Sequence, residues 1–547
     1  MADLVLGPML RYLDERQATV WVETDAPCEV EVLGRRARTF CVGGHHYAIV
    51  AIEDLEPGGA YPYEVALDGE RRWPCDDDRF PPSTIRPIDP AQKLRLVFGS
   101  CRVAVPHEPP YTLTKDQDPR GREVDALRAL ALRMMGRPVD EWPSLLLAIG
   151  DQIYVDEDAP ETRAFIRSRR DTTRPPGEGV LDFTEYAHLY RESWSDPVIR
   201  WLFSTIGSMM VFDDHDVHDD WNTSIAWIEE MRSTEWWETR IESALASYWL
   251  YQHLGNLSPQ ELARNELLEQ VREEVDAGPL LRRWAGRADR GSDGSRWSFS
   301  RDIGGVRMIL FDSREGRVVG SSPRRMNDEH EHEWLVSRAT GDIDHLLLID
   351  SLPFFMVPAF HHLEAWNEAV CGGAWGRWAT GCGEKLRRAL DLEHWAAFNF
   401  SFRRLQRMLI DVATGKRGAP PATIIGLGGD VHHAYLAEIG FRKGTGARSA
   451  VYQAVCSPFR NPLDRHERLV VRVGDSRAGE VVAHALARVA GVPDPEVGWR
   501  LVQSPTFDNQ FATLELDGRS ALFRIERTVR DDLEGRRIET SLERRLA

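Results

Sequence analysis

Six short hydrophobic runs in the chain are each followed by side chains of the kinds that bind metal ions. The runs are residues 94–98, 144–149, 209–212, 306–311, 345–349 and 423–427. Near-continuous apolar runs of this length are typical of strands buried on both faces of a parallel sheet. Ligands of such sheets collect outside the carboxyl ends of the strands, so we expect the six following loops to converge on one edge.

Helical patterns alternate with these runs. Amphipathic helices are predicted over residues 124–135, 331–340 and 400–413, and such alternation indicates a layered α/β domain. Two longer stretches, 155–207 and 223–300, are rich in Trp, Arg and Glu and predict helical insertions at the mouth of the site. Further elements are predicted as helices over 235–251 and 260–275 and as a strand pair over 511–516 and 521–527.

The first 76 residues have a different pattern. Short strands of mixed alternation are predicted at residues 20–24, 29–32, 46–50 and 63–67, with Gly- and Pro-containing turns between them. Evenly spaced short strands of this kind indicate a small β-sandwich. The Pro-rich stretch 80–90 predicts an extended linker. We therefore expect a β-sandwich with its linker over residues 1–90 and an α/β domain over residues 91–547.

Composition narrows the class of protein. A chain of 547 residues with 42% hydrophobic side chains can bury a large core. A formal net charge of −18 argues against nucleic acid as a partner, because binding it requires a basic surface. The negative charge does not exclude an anionic substrate, since bound cations reverse the charge of a site.

Cysteine usage and the chain start suggest a cytoplasmic protein. Seven cysteines occur without a Cys-x-x-Cys pair, which argues against a zinc ribbon or a thioredoxin-type site. An odd number of cysteines in a large chain suggests reduced thiols. Neither a signal peptide nor an apolar run long enough for a membrane helix is recognisable.

Two loops combine a carboxylate with softer ligands. Asp151 follows the second run, where a carboxylate can bridge two cations, and Tyr154 can offer a phenolate one helical turn later. Cys101 ends the first run and can supply a thiolate, because a coordinating thiol is deprotonated. Phenolate and thiolate ligands favour a trivalent, Lewis-acidic metal such as iron(III).

Two other loops add hard oxygen ligands and an imidazole. Asp214 and Asp430 suit calcium, magnesium or manganese, and His432 lies two residues after Asp430. Repulsion within the acidic run 213–220 is costly without a cation. Two cations close together activate water and clamp an in-line displacement at phosphorus.

Taken singly, each of these motifs has an ordinary structural explanation. Cys101 alone is typical of an inert core thiol, and Asp151 alone is typical of a turn or a helix cap. His432 alone fits a polar residue that is satisfied by its neighbours. The interpretation therefore depends on the motifs acting together.

The motifs in their order resemble the alkaline phosphatase D (PhoD-like) family of the calcineurin-like metallophosphoesterase superfamily. The motifs that carry the likeness are Phe98-Gly99-Ser100-Cys101-Arg102, Gly150-Asp151-Gln152-Ile153-Tyr154, Asp213-Asp214-His215-Asp216, Asp219-Asp220-Trp221-Asn222, Phe311-Asp312-Ser313-Arg314 and Gly428-Gly429-Asp430-Val431-His432. The resemblance implies a fibronectin/Ig-like sandwich followed by a layered α/β/β/α metallophosphoesterase domain with helical insertions. It also implies an iron(III) and calcium centre that hydrolyses phosphate esters.

Site residues follow from the resemblance position by position. The implied metal ligands are Cys101, Asp151, Tyr154 and His432 for iron, and Asp151, Asp214 and Asp430 for calcium. His215 falls where the superfamily places a histidine that contacts the phosphate and helps to protonate the leaving oxygen. Arg314 is a second candidate catalytic residue, which either neutralises phosphate through a bidentate fork or forms a structural salt bridge with Asp312.

The sequence therefore predicts a hydrolase of small-molecule phosphate mono- or diesters that uses a metal-activated water. One alternative is a phosphodiesterase or phospholipase D-like activity, in which the same fold and ligands bind Zn²⁺, Mn²⁺ or Mg²⁺ instead. An alternative of another class is a non-catalytic binding protein on a degenerate phosphatase scaffold. The sequence does not indicate an oligomeric state.

Overall fold

The computed structural model describes residues 1–74, 79–157, 159–291, 296–320, 323–530, 532 and 534–547. Within these residues, no helix is long and apolar enough to cross a membrane.

A β-sandwich begins the chain. Its strands, with a small separate pair, are β1 (Leu4–Leu13), β2 (Ala18–Thr24), β3 (Glu29–Val32), β4 (Arg35–Arg38), β5 (Phe40–Val42), β6 (His45–Ile52), β7 (Tyr61–Pro62), β8 (Val65–Leu67), β9 (Glu70–Trp73) and β10 (Thr84–Ile85). One antiparallel sheet has the order β1-β2-β6-β5 and the other has the order β4-β3-β8-β9. Val20 and Val50 of the first sheet share a buried core with Val30 and Val65 of the second, so the predicted sandwich is confirmed.

The remaining strands form two mixed sheets. They are β11 (Leu94–Gly99), β12 (Leu145–Ile149), β13 (Gly207–Val211), β14 (Phe299–Ile303), β15 (Val306–Leu310), β16 (His345–Ile349), β17 (Thr423–Gly428), β18 (Tyr435–Phe441), β19 (Ala450–Val455), β20 (Val497–Leu501), β21 (Gln510–Asp517), β22 (Ser520–Thr528) and β23 (Ile538–Arg545). The sheet orders are β13-β12-β11-β21-β22-β23 and β14-β15-β16-β17-β19-β18-β20.

All six hydrophobic runs are strands, but the expectation of one parallel sheet is wrong. β11, β12 and β13 pair in parallel in the first sheet, and β15, β16 and β17 pair in parallel in the second. Both sheets also contain antiparallel pairs, such as β11 with β21 and β18 with β19. A near-continuous apolar run shows that a strand is buried on both faces, but it does not show which sheet the strand joins.

The two sheets pack face to face between layers of helices. Successive side chains of a strand point to opposite faces, so Phe98 of β11 and Leu310 of β15 lie in the core between the sheets. Val97 and Ile309, one residue earlier in each strand, lie in the cores under the helices. This arrangement confirms the layered α/β/β/α architecture.

Helices surround the sheets. They are α1 (Ala126–Met135), α2 (Pro160–Arg169), α3 (Phe183–Trp194), α4 (Pro197–Thr205), α5 (Ile225–Arg232), α6 (Trp237–Tyr248), α7 (Leu254–Asn256), α8 (Pro259–Ala263), α9 (Glu266–Glu273), α10 (Gly278–Asp289), α11 (Glu329–Arg338), α12 (Pro358–Cys371), α13 (Arg377–Ala389), α14 (Asn399–Thr414), α15 (Arg465–Gly474) and α16 (Arg477–Val489). The predicted helix over 260–275 is instead two helices. Asn265 interrupts it, because its side chain accepts a hydrogen bond from the backbone N–H of Leu268 and thereby caps α9.

The inserted helices pack against the N-terminal sandwich. Tyr251 Oη lies 2.9 Å from Tyr47 Oη, and the Arg11 guanidinium donates to the carbonyl oxygens of Tyr251 and Gln252 at 2.8 Å. The insertions therefore share a core with the sandwich. The division at residue 90 stays a prediction.

Candidate metal centre

Loops from both sheets meet at one place. A Cβ built on Gly429, after β17, would lie 2.3 Å from Ser100 Oγ and 2.9 Å from the carbonyl oxygen of Ile149. Ser100 directly follows β11 and Ile149 ends β12, and both strands belong to the other sheet. Only a residue without a side chain permits this approach. The carboxyl ends of strands from both sheets thus lie in contact.

Cys101, Asp151, Tyr154 and His432 lie together at this junction. Cys101 Sγ is 3.4 Å from Asp151 Oδ2, and Tyr154 Oη is 3.1 Å from the same oxygen. Tyr154 Oη is also 3.3 Å from His432 Nε2. Tyr154 does not lie on a helix as the sequence predicted, since residues 151–157 form an irregular loop. The four predicted iron ligands are nevertheless neighbours.

A second group consists of carboxylates. One ligand oxygen from each of Asp151, Asp213, Asp214 and Asp430 lies within 4.8 Å of the others. Asp151 belongs to both groups, as expected of a carboxylate that bridges two cations. Asp213 was noted in the sequence as part of an acidic run, but it was not predicted to be a ligand.

Burial opposes ionisation throughout the cluster. Burial, followed by the charges of Asp151 and Asp430, raises the pKa of the Cys101 thiol well above its usual value. Burial and the same Asp151 charge raise the pKa of Tyr154. Burial also raises the pKa of Asp151 and Asp214, although His215 acts in the opposite direction on both. A bound cation would reverse this balance by stabilising every anionic form.

Other groups of the cluster are already in a state that suits coordination. Burial would raise the pKa of Asp430, but His394 and Arg314 outweigh it and hold the pKa below its usual value. Burial lowers the pKa of His432 to about 3. Asp430 is therefore an anion and His432 is neutral, with a lone pair to donate.

Several buried atoms find no hydrogen-bond partner within the protein. Those in and beside the cluster include Asp151 Oδ1, Asp213 Oδ2, His215 Nδ1 and Asp220 Oδ1. Buried polar atoms are rarely left unpaired, because the lost hydration is costly. The thiol, phenol, imidazole and carboxylates of this cluster are suitable ligands for a pair of cations. The unpaired carboxylate oxygens would coordinate those cations.

Four of the predicted ligands have a left-handed backbone. The φ angles of Cys101, Asp151, Asp430 and His432 are 61°, 48°, 64° and 52°. Non-glycine residues in this region carry conformational strain, which concentrates at functional sites. Hydrophobic patterning gave no sign of this feature.

His215 lies beside the predicted iron ligands. Its ring packs against the ring of Tyr154 with centroids 4.4 Å apart, and its Nε2 is 3.9 Å from Asp219 Oδ1. The side chain is 18% exposed, so it is not fully enclosed by the protein.

Arg314 is fully buried and is surrounded by carboxylates. Its guanidinium contacts Asp213 and Glu393, and its Nη2 lies 3.2 Å from Asp214 Oδ1 and 3.3 Å from Asp430 Oδ1. The alternative salt bridge with Asp312 is not observed, since Asp312 accepts the backbone N–H of Arg314 instead. The guanidinium N–H groups that the sequence analysis offered to phosphate are therefore paired with carboxylates.

The sequence analysis missed three residues at the site, which are Glu364, Glu393 and His394. Glu393 contacts Arg314, and His394 bridges two carboxylates, with Nδ1 2.7 Å from Glu364 Oε1 and Nε2 2.9 Å from Asp430 Oδ2. Although burial lowers the pKa of His394, Glu364 and Asp430 raise it well above its usual value. Glu393 and His394 follow α13 rather than a strand, so no hydrophobic run points to them.

Comparisons with known proteins agree with the geometry. Residues 129–282 match the model of the PhoD-like phosphatase family, and residues 1–85 match a domain of unknown function, DUF7800. No curated protein sequence matches the chain. A solved structure described as PhoD superposes with a TM-score of 0.60 at 11% identity, and the match covers 100% of this chain and 92% of that one.

A second solved structure is described as a dimetal phosphatase from Danio rerio. It has a TM-score of 0.31 and 9% identity, and the match covers 79% of this chain and 95% of that one. A score this low carries no argument about the fold. The family match supports a phosphoric ester hydrolase. The resemblance predicted from the motifs is therefore confirmed: the chain resembles the PhoD-like phosphatases in sequence over residues 129–282 and in fold over its whole length.

Proposed function

We propose that this protein hydrolyses phosphate mono- or diesters at a site holding two cations. The observation that carries the proposal is the position of Asp151. It lies between a thiol–phenol–imidazole group and a group of carboxylates, with one oxygen free of any hydrogen bond. A shared carboxylate between two such groups is the arrangement that a dinuclear phosphoesterase needs.

Each group of ligands would hold one cation. Cys101, Tyr154 and His432 would bind iron(III) with one oxygen of Asp151, because thiolate and phenolate favour such a metal. The carboxylates of Asp151, Asp214 and Asp430 would bind calcium, since their hard oxygens suit it. Two bound cations supply the Lewis acidity that activates water and stabilises charge at phosphorus.

The protein's own groups orient the ligands and move a proton. Arg314 and His394 hold Asp214 and Asp430 through ion pairs. The partly exposed His215 would donate the proton on Nε2 to the departing oxygen, as a general acid. Its buried Nδ1 faces the protein interior.

Replacing Asp151 tests the proposal. We expect Asp151→Asn to lose turnover of a nitrophenyl phosphate ester and to bind less metal by elemental analysis, because both cations lose a shared ligand. The control is Asp411→Asn, on α14, where the carboxylate pairs with Lys416 at the surface. Wild-type turnover in Asp151→Asn would overturn the assignment. Comparing the hydrolysis rates of a phosphate monoester and a phosphate diester distinguishes phosphatase from phosphodiesterase activity.

Colour tests the iron assignment separately. An iron(III)–tyrosinate pair absorbs visible light, so the loaded protein should be coloured and Tyr154→Phe should lose the band. A colourless, active protein that contains zinc, manganese or magnesium would support the alternative divalent pair.

A further inference from the structure

The helical hairpin of α15 and α16 exposes an unusual set of large apolar side chains. Most of α15 and α16 lies at the surface, and the exposed apolar side chains, here called the hairpin face, are Leu469, Val470, Val473, Val481, Val482 and Val489. Each is between 54% and 75% exposed. In α15, Val473 lies three and four residues after Val470 and Leu469, and in α16, Val489 lies seven residues after Val482. Such spacings place side chains on one side of a helix.

On this hairpin most of the large apolar side chains are exposed and most of the buried side chains are small. An ordinary surface helix has the reverse arrangement. The hairpin packs against α12. Its buried residues are Val471, Gly474, Ala483 and Ala487, three of which are small. A Cβ on Gly474 would lie 2.7 Å from Phe360 of α12. Leu469 and five of the valines point to solvent instead. Amphipathic surface helices normally bury their larger apolar side chains.

Local helix stability does not explain the exposed valines. Valine is a weaker helix former than alanine, because its branched side chain loses rotamer freedom in a helix. A valine that remains in water also gains nothing from burial. Packing against a partner would account for both the residue type and its position.

The area of the hairpin face fits a second copy of the same chain. Six side chains exposed to this extent present on the order of 500 Å² of apolar surface, which is near the upper end for a monomer. A stable interface buries about 800 Å² on each partner, with an apolar centre and a polar rim. The exposed Arg472, Arg477, Glu480 and Arg488 border the hairpin face and would supply that rim.

Charge favours a second copy over an anionic lipid surface. Residues 464–490 carry five arginines, four acidic residues and no lysine. Helices that bind anionic membranes carry a clear excess of Lys and Arg on their polar side. A nearly balanced patch on a chain with net charge −18 is instead where two copies approach with little repulsion.

We infer that two copies of this chain associate through their hairpin faces to form a symmetric dimer. The same surface of each copy would face the other around a two-fold axis, which gives a four-helix layer. Each valine and leucine of the hairpin face would then lie in an apolar interior.

Sedimentation velocity on the full chain tests the inference. We expect a species of twice 62.2 kDa that dissociates on dilution, as mass action requires. The double substitution Val470→Glu and Val482→Glu should give a monomer with an unchanged circular dichroism spectrum. The matched control is Val275→Glu, because Val275 is 94% exposed and follows α9; this variant should dimerise like the wild type.

Three outcomes would overturn the inference. They are a wild-type monomer at every concentration that does not bind vesicles, a double variant that still dimerises, and a wild-type monomer that cosediments with phosphatidylcholine–phosphatidylglycerol vesicles. The last outcome would assign the hairpin face to a lipid surface. Both substituted positions are exposed, so misfolding is not expected to confuse the result.

Discussion

At the scale of single residues, charge balance at the centre depends on Arg314. Three aspartates and Glu393 contact one buried guanidinium. Burial lowers the pKa of Arg314, but the surrounding carboxylates outweigh it and keep the side chain charged. We therefore propose that Arg314 is a positioning residue, which orients the oxygens of Asp214 and Asp430.

Removing this charge should destabilise the protein. Breaking a buried ion pair by deleting one partner typically costs 3–5 kcal/mol, so we expect Arg314→Met to lose about that free energy of unfolding in urea. Arg314→Lys keeps the charge and should lose less. A stable Arg314→Met variant in which only KM for the ester rises would instead support the phosphate fork predicted from the sequence.

At the scale of elements, the site depends on how closely β17 approaches β11 and β12. Gly429 is the contact point, since any side chain there would meet Ser100 and the backbone of Ile149. Cys101 and Asp151 lie on one side of this contact, and Asp430 and His432 lie on the other. The distance between the sheets therefore sets the distance between the predicted ligands.

We expect Gly429→Ala to push these loops apart. Overpacking costs about 1–3 kcal/mol of unfolding free energy, and metal affinity should fall by about 10- to 100-fold, as it does when groups supporting a ligand are changed. Titration calorimetry with the metal and urea unfolding measure the two effects. The control is Gly498→Ala, in β20, where a Cβ would meet nothing within 4 Å. Unchanged metal affinity in Gly429→Ala would contradict this account.

At the scale of the whole molecule, buried histidines make stability depend on pH. His253 is 7% exposed and lies edge-on to Trp297, and burial lowers its pKa to about 4. His361, on α12, is lowered well below the usual value, also by burial. The unfolded chain binds these protons below a pH of about 6.5, but the folded chain does not, so stability falls as the pH drops.

A His253→Phe variant isolates this effect. For a pKa of about 4 in the folded state, wild type should lose about 2 kcal/mol between pH 8 and pH 5 that the variant keeps. Asp350 and Glu368, whose pKa values burial raises to about 7, act in the opposite direction, but they cancel in the difference between the two proteins. Urea unfolding followed by tryptophan fluorescence measures that difference. Equal losses in both proteins would contradict the assignment.

The sequence by itself determined the strands and the residues that follow them. Apolar runs such as 94–98 and 423–427 are strands because burial on both faces requires continuous hydrophobicity, and that requirement is local. The prediction of one shared site rested on positions after strands and on the resemblance of the motifs to the PhoD-like family. Its residues were Cys101, Asp151, Tyr154, Asp214, Asp430 and His432. The prediction of a single helix over 260–275 was wrong, because the side chain of Asn265 caps a new helix and so interrupts the hydrophobic period.

The tertiary structure alone decided how the strands divide between two sheets and which groups surround the ligands. Three of these groups lie on the helical side, where no periodic pattern marks them: Glu364 on α12, and Glu393 and His394 between α13 and α14. The environment of Arg314 is likewise made by carboxylates roughly 80 to 116 positions away along the chain. Residue spacing records local burial, whereas contacts between distant segments exist only after the sheets and helices have packed.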